Sequence, residues 1–359
     1  MINVTQTFLP PIEEYNAILK RAWEKKWLTN RGELVLELED KIKNKYHISN
    51  ILATTNGTLP LQIAIKCLEL KGEIITTPFS YIATTSSIIW EGCHPVFVDI
   101  DEETFNIDPL KIERAITPKT SAILATHVFG NPCKIDAIAK IAKKHNLKVI
   151  YDAAHSFGVS YNNQSIFEYG DVSTCSFHAT KIFHTGEGGA LFTKDKELYN
   201  KLYYHHNFGH KGALDFHGLG INAKISELQA AMGLAVFPYL EAIFERRESL
   251  YKRYQKELKG SVQFQKIESN CDYNYSYIPV VFKTEKQLQD VVNLLNNNHI
   301  YPRQYFNPSL NTIAYINGDV MPVSESISSR VLCLPLYFDL AEAQVLLISN
   351  LIRNCISNE

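Results

Sequence analysis

The chain has 359 residues, with 36 Lys and Arg against 38 Asp and Glu and a formal net charge of −2 at pH 7. That near balance speaks against a strongly basic nucleic-acid face and against a polybasic membrane patch. The longest apolar runs are too short to span a bilayer, and the length suits one or two domains with a sizeable core.

The opening, "MINVTQTFLPPIEEY", has neither a basic leader nor a long apolar core, so no secretion signal is expected. The seven cysteines are dispersed and form no C-x-x-C pair, which points to reduced thiols and a cytoplasmic location. On that reading the N-x-[ST] triplets at Asn3, Asn56 and Asn163 carry no glycan. No H-E-x-x-H, Walker loop or tight His/Cys cluster suggests a metal or P-loop site.

From residue 51 strand-like and helix-like segments alternate. "ILATT" predicts a strand, and 57–70 a helix in which Pro60 is tolerable only in the first turn. "EIITT" predicts a strand, 80–91 a helix, and "PVFVDI" and "AILATHVF" two further strands. Residues 134–146 read as an amphipathic helix, followed by strands in "KVIYDAA", "DVSTCSF" and "GALFT". Short continuous apolar runs are what a sheet covered on both faces requires, so the expectation is an α/β fold with a mostly parallel sheet. After residue 193 the pattern changes. Residues 222–258 look helical, with a kink at Pro238. "YSYIPVVF" predicts a strand, 285–298 a helix, "RVLCLPLYF" an irregular strand, and a last helix starts at 341. A boundary near 245–260 would divide a large domain, 1–250, from a smaller α+β domain, 251–359.

Candidate chemistry centres on Lys181, in "SFHATKIFHTGEGGALF". A partly buried amine loses the solvation of its charge, so its pKa falls, and a neutral amine can condense with an aldehyde. Alone, it reads more readily as a lysine snorkelling from a strand end. Gly57 and Thr58, between a strand and a helix, suit a phosphate through close backbone approach, a hydroxyl and free helix-start N–H groups, or form a plain turn and cap. Asp152 ends a predicted strand at the carboxyl edge of the sheet, where open α/β folds bind ligands. It can hold a proton on a pyridine nitrogen or cap the next helix. His155 could reach the same ring's phenolic oxygen, and Ser176 could join Thr58 on the phosphate. In that order these are the parts that hold pyridoxal 5′-phosphate.

"SFHATKIFHTGEGGALFT", "TPFSYIATTSSIIWEGCHPVFVDIDEETFNIDP" and "GINAKISELQAAMGLA" resemble the DegT–DnrJ–StrS group of nucleotide-sugar aminotransferases that depend on pyridoxal 5′-phosphate. The likeness runs from "WLTNRGELVLELED" to "CLPLYFDL". It implies PLP fold type I, like aspartate aminotransferase, and a homodimer with shared active sites. It also implies that the large domain binds the cofactor. By the same resemblance Lys181 anchors the cofactor's aldehyde and serves as general base, and Asp152 faces the ring nitrogen. His155 lies near the ring oxygen, Gly57, Thr58 and Ser176 bind phosphate, and Tyr81 stacks on the ring. By residue type alone Phe79 could stack as well, and either aromatic could simply be core. Asn222 reaches the partner's cofactor. Lys224 stands where many relatives carry arginine, near the substrate's phosphates or the donor's carboxylate. Trp27, Thr29, Arg303 and Tyr305 fall in segments that line the substrate pocket or compete as plain packing. His205, His206, His210 and His217 lack acidic or thiol partners and read as loop polar groups.

The implied reaction is a ping-pong transfer from L-glutamate to a nucleotide-linked ketosugar. "VTQTFLPPIEEY", "KWLTNRGE", "TTNGTLPLQIAI" and "DAAHSFGV" are most similar to enzymes that make dTDP-4-amino-4,6-dideoxy-D-glucose for O-antigen. A C-3 aminotransferase, or one acting on a GDP- or UDP-linked sugar, is the nearest alternative. A sugar dehydratase is disfavoured because such relatives carry histidine in place of Lys181, and a regulatory relative because the cofactor set is complete.

Overall fold

The computed structural model describes residues 1–316 and 318–357. Seven short strands form the main sheet: β1 (Ile51–Thr54), β2 (Glu73–Thr76), β3 (His94–Phe97), β4 (Thr120–Thr126), β5 (Lys148–Asp152), β6 (Val172–Ser176) and β7 (Gly189–Phe192). Their order is β1-β7-β6-β5-β4-β2-β3. β7 runs antiparallel to β1 and β6, and every other pair is parallel. The strands read as unbroken apolar runs because both faces are buried. Ile123, Ala125, Val149 and Tyr151 face one core, while Ala122, Leu124 and Ile150, alternating with them, face another.

The covering helices are α1 (Ile12–Lys25), α2 (Glu33–Tyr46), α3 (Leu59–Cys67), α4 (Ile82–Trp90), α5 (Pro109–Ala115), α6 (Ile135–His145), α7 (Lys196–His206), α8 (Glu227–Val236) and α9 (Leu240–Glu257). Pro60 sits in the first turn of α3, as its missing N–H demands. The helix expected over 222–258 is shorter and divided. Ser226 and Gln229 form a capping box that starts α8, and Pro238 lies in a 3-10 turn, Phe237–Tyr239, between α8 and α9. Residues ahead of the cap are extended: Asn222 bridges Asn207, and Lys224 bridges Thr54 at the end of β1.

A second core lies around an antiparallel sheet of β8 (Gln263–Phe264), β9 (Pro279–Val281) and β10 (Val331–Cys333). The helices α10 (Glu285–Asn297), α11 (Pro322–Arg330) and α12 (Glu342–Ser357) accompany it. The strands expected in "YSYIPVVF" and "RVLCLPLYF" shrink to β9 and β10, beyond whose ladder the two segments keep only single backbone bonds to each other, Leu334 N–H to the Ile278 carbonyl and Phe282 N–H to that of Arg330. α9 joins the two parts. Its Leu240 and Ile243 enter the large core, and its Leu250, Tyr251 and Tyr254 enter the second. The first residues return to the second part through a parallel pairing of Ile2 with Ile300. Among the described residues no disulfide joins the cysteines, and no helix is long and apolar enough to cross a membrane.

The start of α2 is capped from another element. Gly32, its N-cap, has no side chain, and the carboxylate of Glu227 on α8, 1% exposed, accepts N–H bonds from Leu34 at 2.8 Å and Val35 at 3.3 Å. A Cβ at Gly32 would lie 2.8 Å from Glu227 Cδ, so this approach needs glycine. Glu227→Ala strands two buried donors and should destabilise the fold by about 1–3 kcal/mol. Urea unfolding should show a lower midpoint, and an unchanged midpoint would contradict the cross-helix cap.

Candidate active site

Parallel strands deliver their last residues to one edge, and the chemistry collects there. Thr126 ends β4, Asp152 ends β5 and pairs with Thr126, and Ser176 ends β6. Because β7 is antiparallel to β6, the loop between them closes over this same edge, with Gly189 opposite Ser176. Lys181 lies in that loop. A cavity of about 250 Å³ opens here, and Gly57, Thr58, Tyr81, Asp152, His155, Ser176, Lys181, Arg303 and Tyr305 all line it.

The loop is held firmly. Phe177 N–H donates to the Gly188 carbonyl at 2.8 Å, Thr185 N–H to that of Phe177 at 2.9 Å, and Ala179 N–H to that of Gly186 at 2.7 Å. Ile182 and Phe183, next to Lys181, are buried, and the Phe183 ring stacks on Phe157 at 4.4 Å. Lys181 itself is partly buried, with Nζ 3.5 Å from the hydroxyl of Tyr277. Burial lowers the pKa of this amine, and Tyr305, Asp152, Cys175 and Tyr81 oppose that fall.

Asp152 is 6% exposed. Its Oδ2 accepts the Thr84 hydroxyl at 2.6 Å, and its Oδ1 accepts the Ala154 N–H at 3.1 Å. Burial raises its pKa, while these two donors and Lys181 pull it down. The His155 ring is nearly parallel to those of Phe129 and Phe306, at 7° and 4°. Burial drives its pKa well below the ordinary value, with Lys181 adding to the effect, so the ring is neutral near pH 7. Its Nδ1 is buried with no hydrogen-bond partner, on a residue that lines the cavity. Asn274 and Ser276 fix the segment by donating to the His155 carbonyl at 2.8 and 2.5 Å.

Across the cavity, Gly57 lies against Ser176, where an added Cβ would come 2.7 Å from the serine Cβ. The helix-start N–H groups expected to be free are partly used. Asn56 Oδ1 accepts from both Thr58 N and Leu59 N at 2.9 Å, an Asx turn that shapes the loop from inside. The Thr58 and Ser176 side chains remain at the cavity wall, with the serine oxygen accepting a long bond from His178 N–H at 3.4 Å.

Four expected residues lie elsewhere in the chain. Trp27, 54% exposed, lines a separate cavity of about 660 Å³ with Arg21, Lys25 and Arg31, and Thr29 is exposed beside it in sequence. Asn222 is exposed, and Lys224 donates to Asn207 Oδ1 at 2.8 Å with its amine 4.5 Å above the Phe208 ring. Phe79 is fully buried among Phe105, Phe129 and Phe306, so it is a core residue and stacks on no ligand. The four discounted histidines form no metal-ligand group among the described residues. Sequence reading missed Thr84, one helical turn after Tyr81 and so findable by projecting α4. It also missed Tyr277, which the second part of the chain brings to Lys181 with no local signal.

A family model described as the DegT/DnrJ/EryC1/StrS aminotransferase family matches residues 11–353. The dTDP-4-amino-4,6-dideoxy-D-glucose transaminase of Shigella dysenteriae is 41% identical over 353 residues, 95% of either chain. The GDP-perosamine synthase of Escherichia coli O157:H7 is 30% identical over 345 residues, 93% of either chain. DesI, crystallised in the presence of its TDP-sugar product, has the same fold with a TM-score of 0.94 at 30% identity, covering 99% of this chain and 93% of DesI. With Lys181, Asp152 and His155 gathered at one sheet edge, the chain belongs to the DegT/DnrJ/EryC1/StrS aminotransferase family, enzymes that use pyridoxal 5′-phosphate to aminate nucleotide-linked sugars.

Proposed function

We propose that this enzyme moves the amino group of L-glutamate to dTDP-4-keto-6-deoxy-D-glucose in the cytoplasm, giving dTDP-4-amino-4,6-dideoxy-D-glucose for O-antigen. The choice of sugar is supported by the two relatives that form this product, 41% and 37% identical, against 30% for the GDP-perosamine synthase. The observation that carries the catalytic reading is the partly buried Lys181 amine, its pKa lowered by burial, in one cavity with Asp152 and His155.

The residues fit the cofactor. A glycine packed on Ser176, an unpartnered His155 Nδ1 and a buried carboxylate line a cavity of about 250 Å³. Gly57, Thr58 and Ser176 would hold its phosphate, Asp152 the proton on its ring nitrogen, and His155 its ring oxygen. Tyr81, half exposed at the cavity wall, would cover the ring, and Lys181 would anchor the aldehyde. When bound, pyridoxal 5′-phosphate supplies an electron sink for the charge left at the donor's α-carbon. Lys181 Nζ would act as general base, moving a proton from the donor's α-carbon to the cofactor's aldehyde carbon, and in the second half of the reaction would move a proton from that carbon to the sugar carbon that receives the amine. Arg303 lies against the Tyr305 ring at 4.5 Å, a cation within reach of an anionic substrate group at the wall of the cavity. We assign Asn222 and Lys224 to the site of a second copy in a homodimer, and Trp27 and Thr29 to its sugar pocket. None of the four lines this chain's own cavity, which supports that assignment. We also assign residues 1–250 to the cofactor domain and 251–359 to the smaller one, with α9 as the joint.

Lys181→Ala should leave thermal unfolding near that of the parent, abolish the yellow colour that glutamate bleaches, and slow transamination at least about 10²-fold. Normal turnover in that variant would contradict the lysine assignment. Incubation with L-glutamate and a panel of dTDP-, GDP- and UDP-linked ketosugars, read by NMR, should give amination at C-4 of the dTDP sugar. Amination at C-3, or preference for another nucleotide, would overturn the substrate assignment and leave the catalytic one standing.

A further inference from the structure

Behind Asp152 stands a row of buried hydroxyls that no part of the transfer reaction uses directly. Thr84 and Ser80 are 0% and 2% exposed, and Thr126 is 4% exposed. Thr84 Oγ1 donates to Asp152 Oδ2 at 2.6 Å, Ser80 Oγ lies 2.8 Å from Thr84 Oγ1, and Thr126 Oγ1 lies 3.0 Å from Ser80 Oγ. Each hydroxyl has a single proton to donate. The Thr84 proton is committed to the carboxylate, so Ser80 must donate to Thr84. The Ser80 proton is then committed in turn, so Thr126 must donate to Ser80. With Asp152 ionised the proton order along the row is determined, Thr126 to Ser80 to Thr84 to Asp152, whereas a protonated acid would reverse it.

We propose that these three hydroxyls form a one-way chain that keeps the Asp152 carboxylate ionised and correctly turned, which makes Thr84 a positioning residue for the cofactor's ring nitrogen. The second part of this inference rests on the assignment of Asp152 to that nitrogen. The fold builds the chain from three elements. Thr126 and Asp152 are register partners on β4 and β5, and Ser80 and Thr84 are four residues apart at the start of α4. Together with the Ala154 N–H on Oδ1, the chain gives each carboxylate oxygen one internal donor and leaves the remaining acceptor capacity toward the cavity. Burial alone favours the protonated acid, which could not hold a second proton for a ring nitrogen. Aligned donors polarise one another and oppose that tendency. The other titratable groups around Asp152 are Lys181, which also favours its charge, Cys175 on β6, whose burial keeps it a neutral thiol, and the neutral His155.

The test uses the full-length protein labelled with carboxyl-¹³C aspartate, first without added cofactor. The Asp152 signal is assigned by its loss in Asp152→Asn and titrated with pH. A hydrogen bond to a carboxylate is worth enough for Thr84→Val to raise the Asp152 midpoint by about one to two pH units. Thr84→Ser should return it to the parent value, and Ser80→Ala should shift it in the same direction by less. Equilibrium binding of pyridoxal 5′-phosphate near neutral pH should weaken roughly tenfold in Thr84→Val and recover in Thr84→Ser. Should the valine variant not fold, Ser80→Ala carries the test, and an unshifted midpoint in it overturns the chain. An unshifted midpoint in a folded Thr84→Val, or failure of serine to restore it, does the same. Asp152→Asn judges the other assignment separately. Parent-like cofactor affinity in that variant removes Asp152 from the ring nitrogen, and with it the positioning role of Thr84, while the titration still decides whether the hydroxyl chain exists.

Discussion

Taking the amine of Lys181 out of water is the constraint around which the site is arranged. A charged ammonium loses solvation there and its pKa falls, which is what a nucleophile near neutral pH needs. The fall is limited by neighbours that favour the charge, Asp152 among them. The carboxylate faces the opposite pressure, since burial urges it to take up a proton while Thr84, Ala154 and Lys181 keep it charged. Two buried groups with opposing tendencies share one cavity, and each moderates the other. Their separation is maintained by the elements that carry them, a sheet edge for Asp152 and a loop pinned by Ile182 and Phe183 for Lys181.

Strand direction explains why these groups meet. Six of the seven strands point the same way and bring their carboxyl ends to one edge, but a lysine placed on a further parallel crossover would leave that edge through a helix. The antiparallel β7 changes this. Its first residue, Gly189, pairs with the last residue of β6, so the connection carrying Lys181 turns back directly over Asp152 and Ser176. The second part of the chain closes the remaining side, with Tyr277, Arg303 and Tyr305 reaching the same cavity wall or the lysine itself. The cavity is thus walled on one side by the sheet edge and on another by residues distant in sequence.

The sheet strands were readable from sequence because burial on both faces leaves continuous apolar runs, and Asp152, Ser176 and Gly57 could be placed because they sit at the ends of such runs. Helices α1 and α2 were not assigned, although Leu34, Val35, Leu38 and Ile42 repeat at helical spacing on the buried face of α2. The helix expected over 222–258 starts too early because residues 222–226 carry no glycine or proline to mark a break. The capping box at Ser226 is the local signal that ends the ambiguity. Asn56 was passed over as part of a glycine turn, yet its side chain takes the N–H groups that a bare helix start would leave open. Tyr277 had no local signature at all. It meets Lys181 across 96 positions of sequence, held by its packing against Phe129, His155 and Tyr305.

The most direct measurement is chemical trapping. The purified protein, supplied with pyridoxal 5′-phosphate, is treated with borohydride and digested, and the peptides are sequenced by mass spectrometry. The account requires a pyridoxyl phosphate mass on Lys181 and on no other lysine. Trapping at a different lysine, or no trapped cofactor in folded protein, would contradict it.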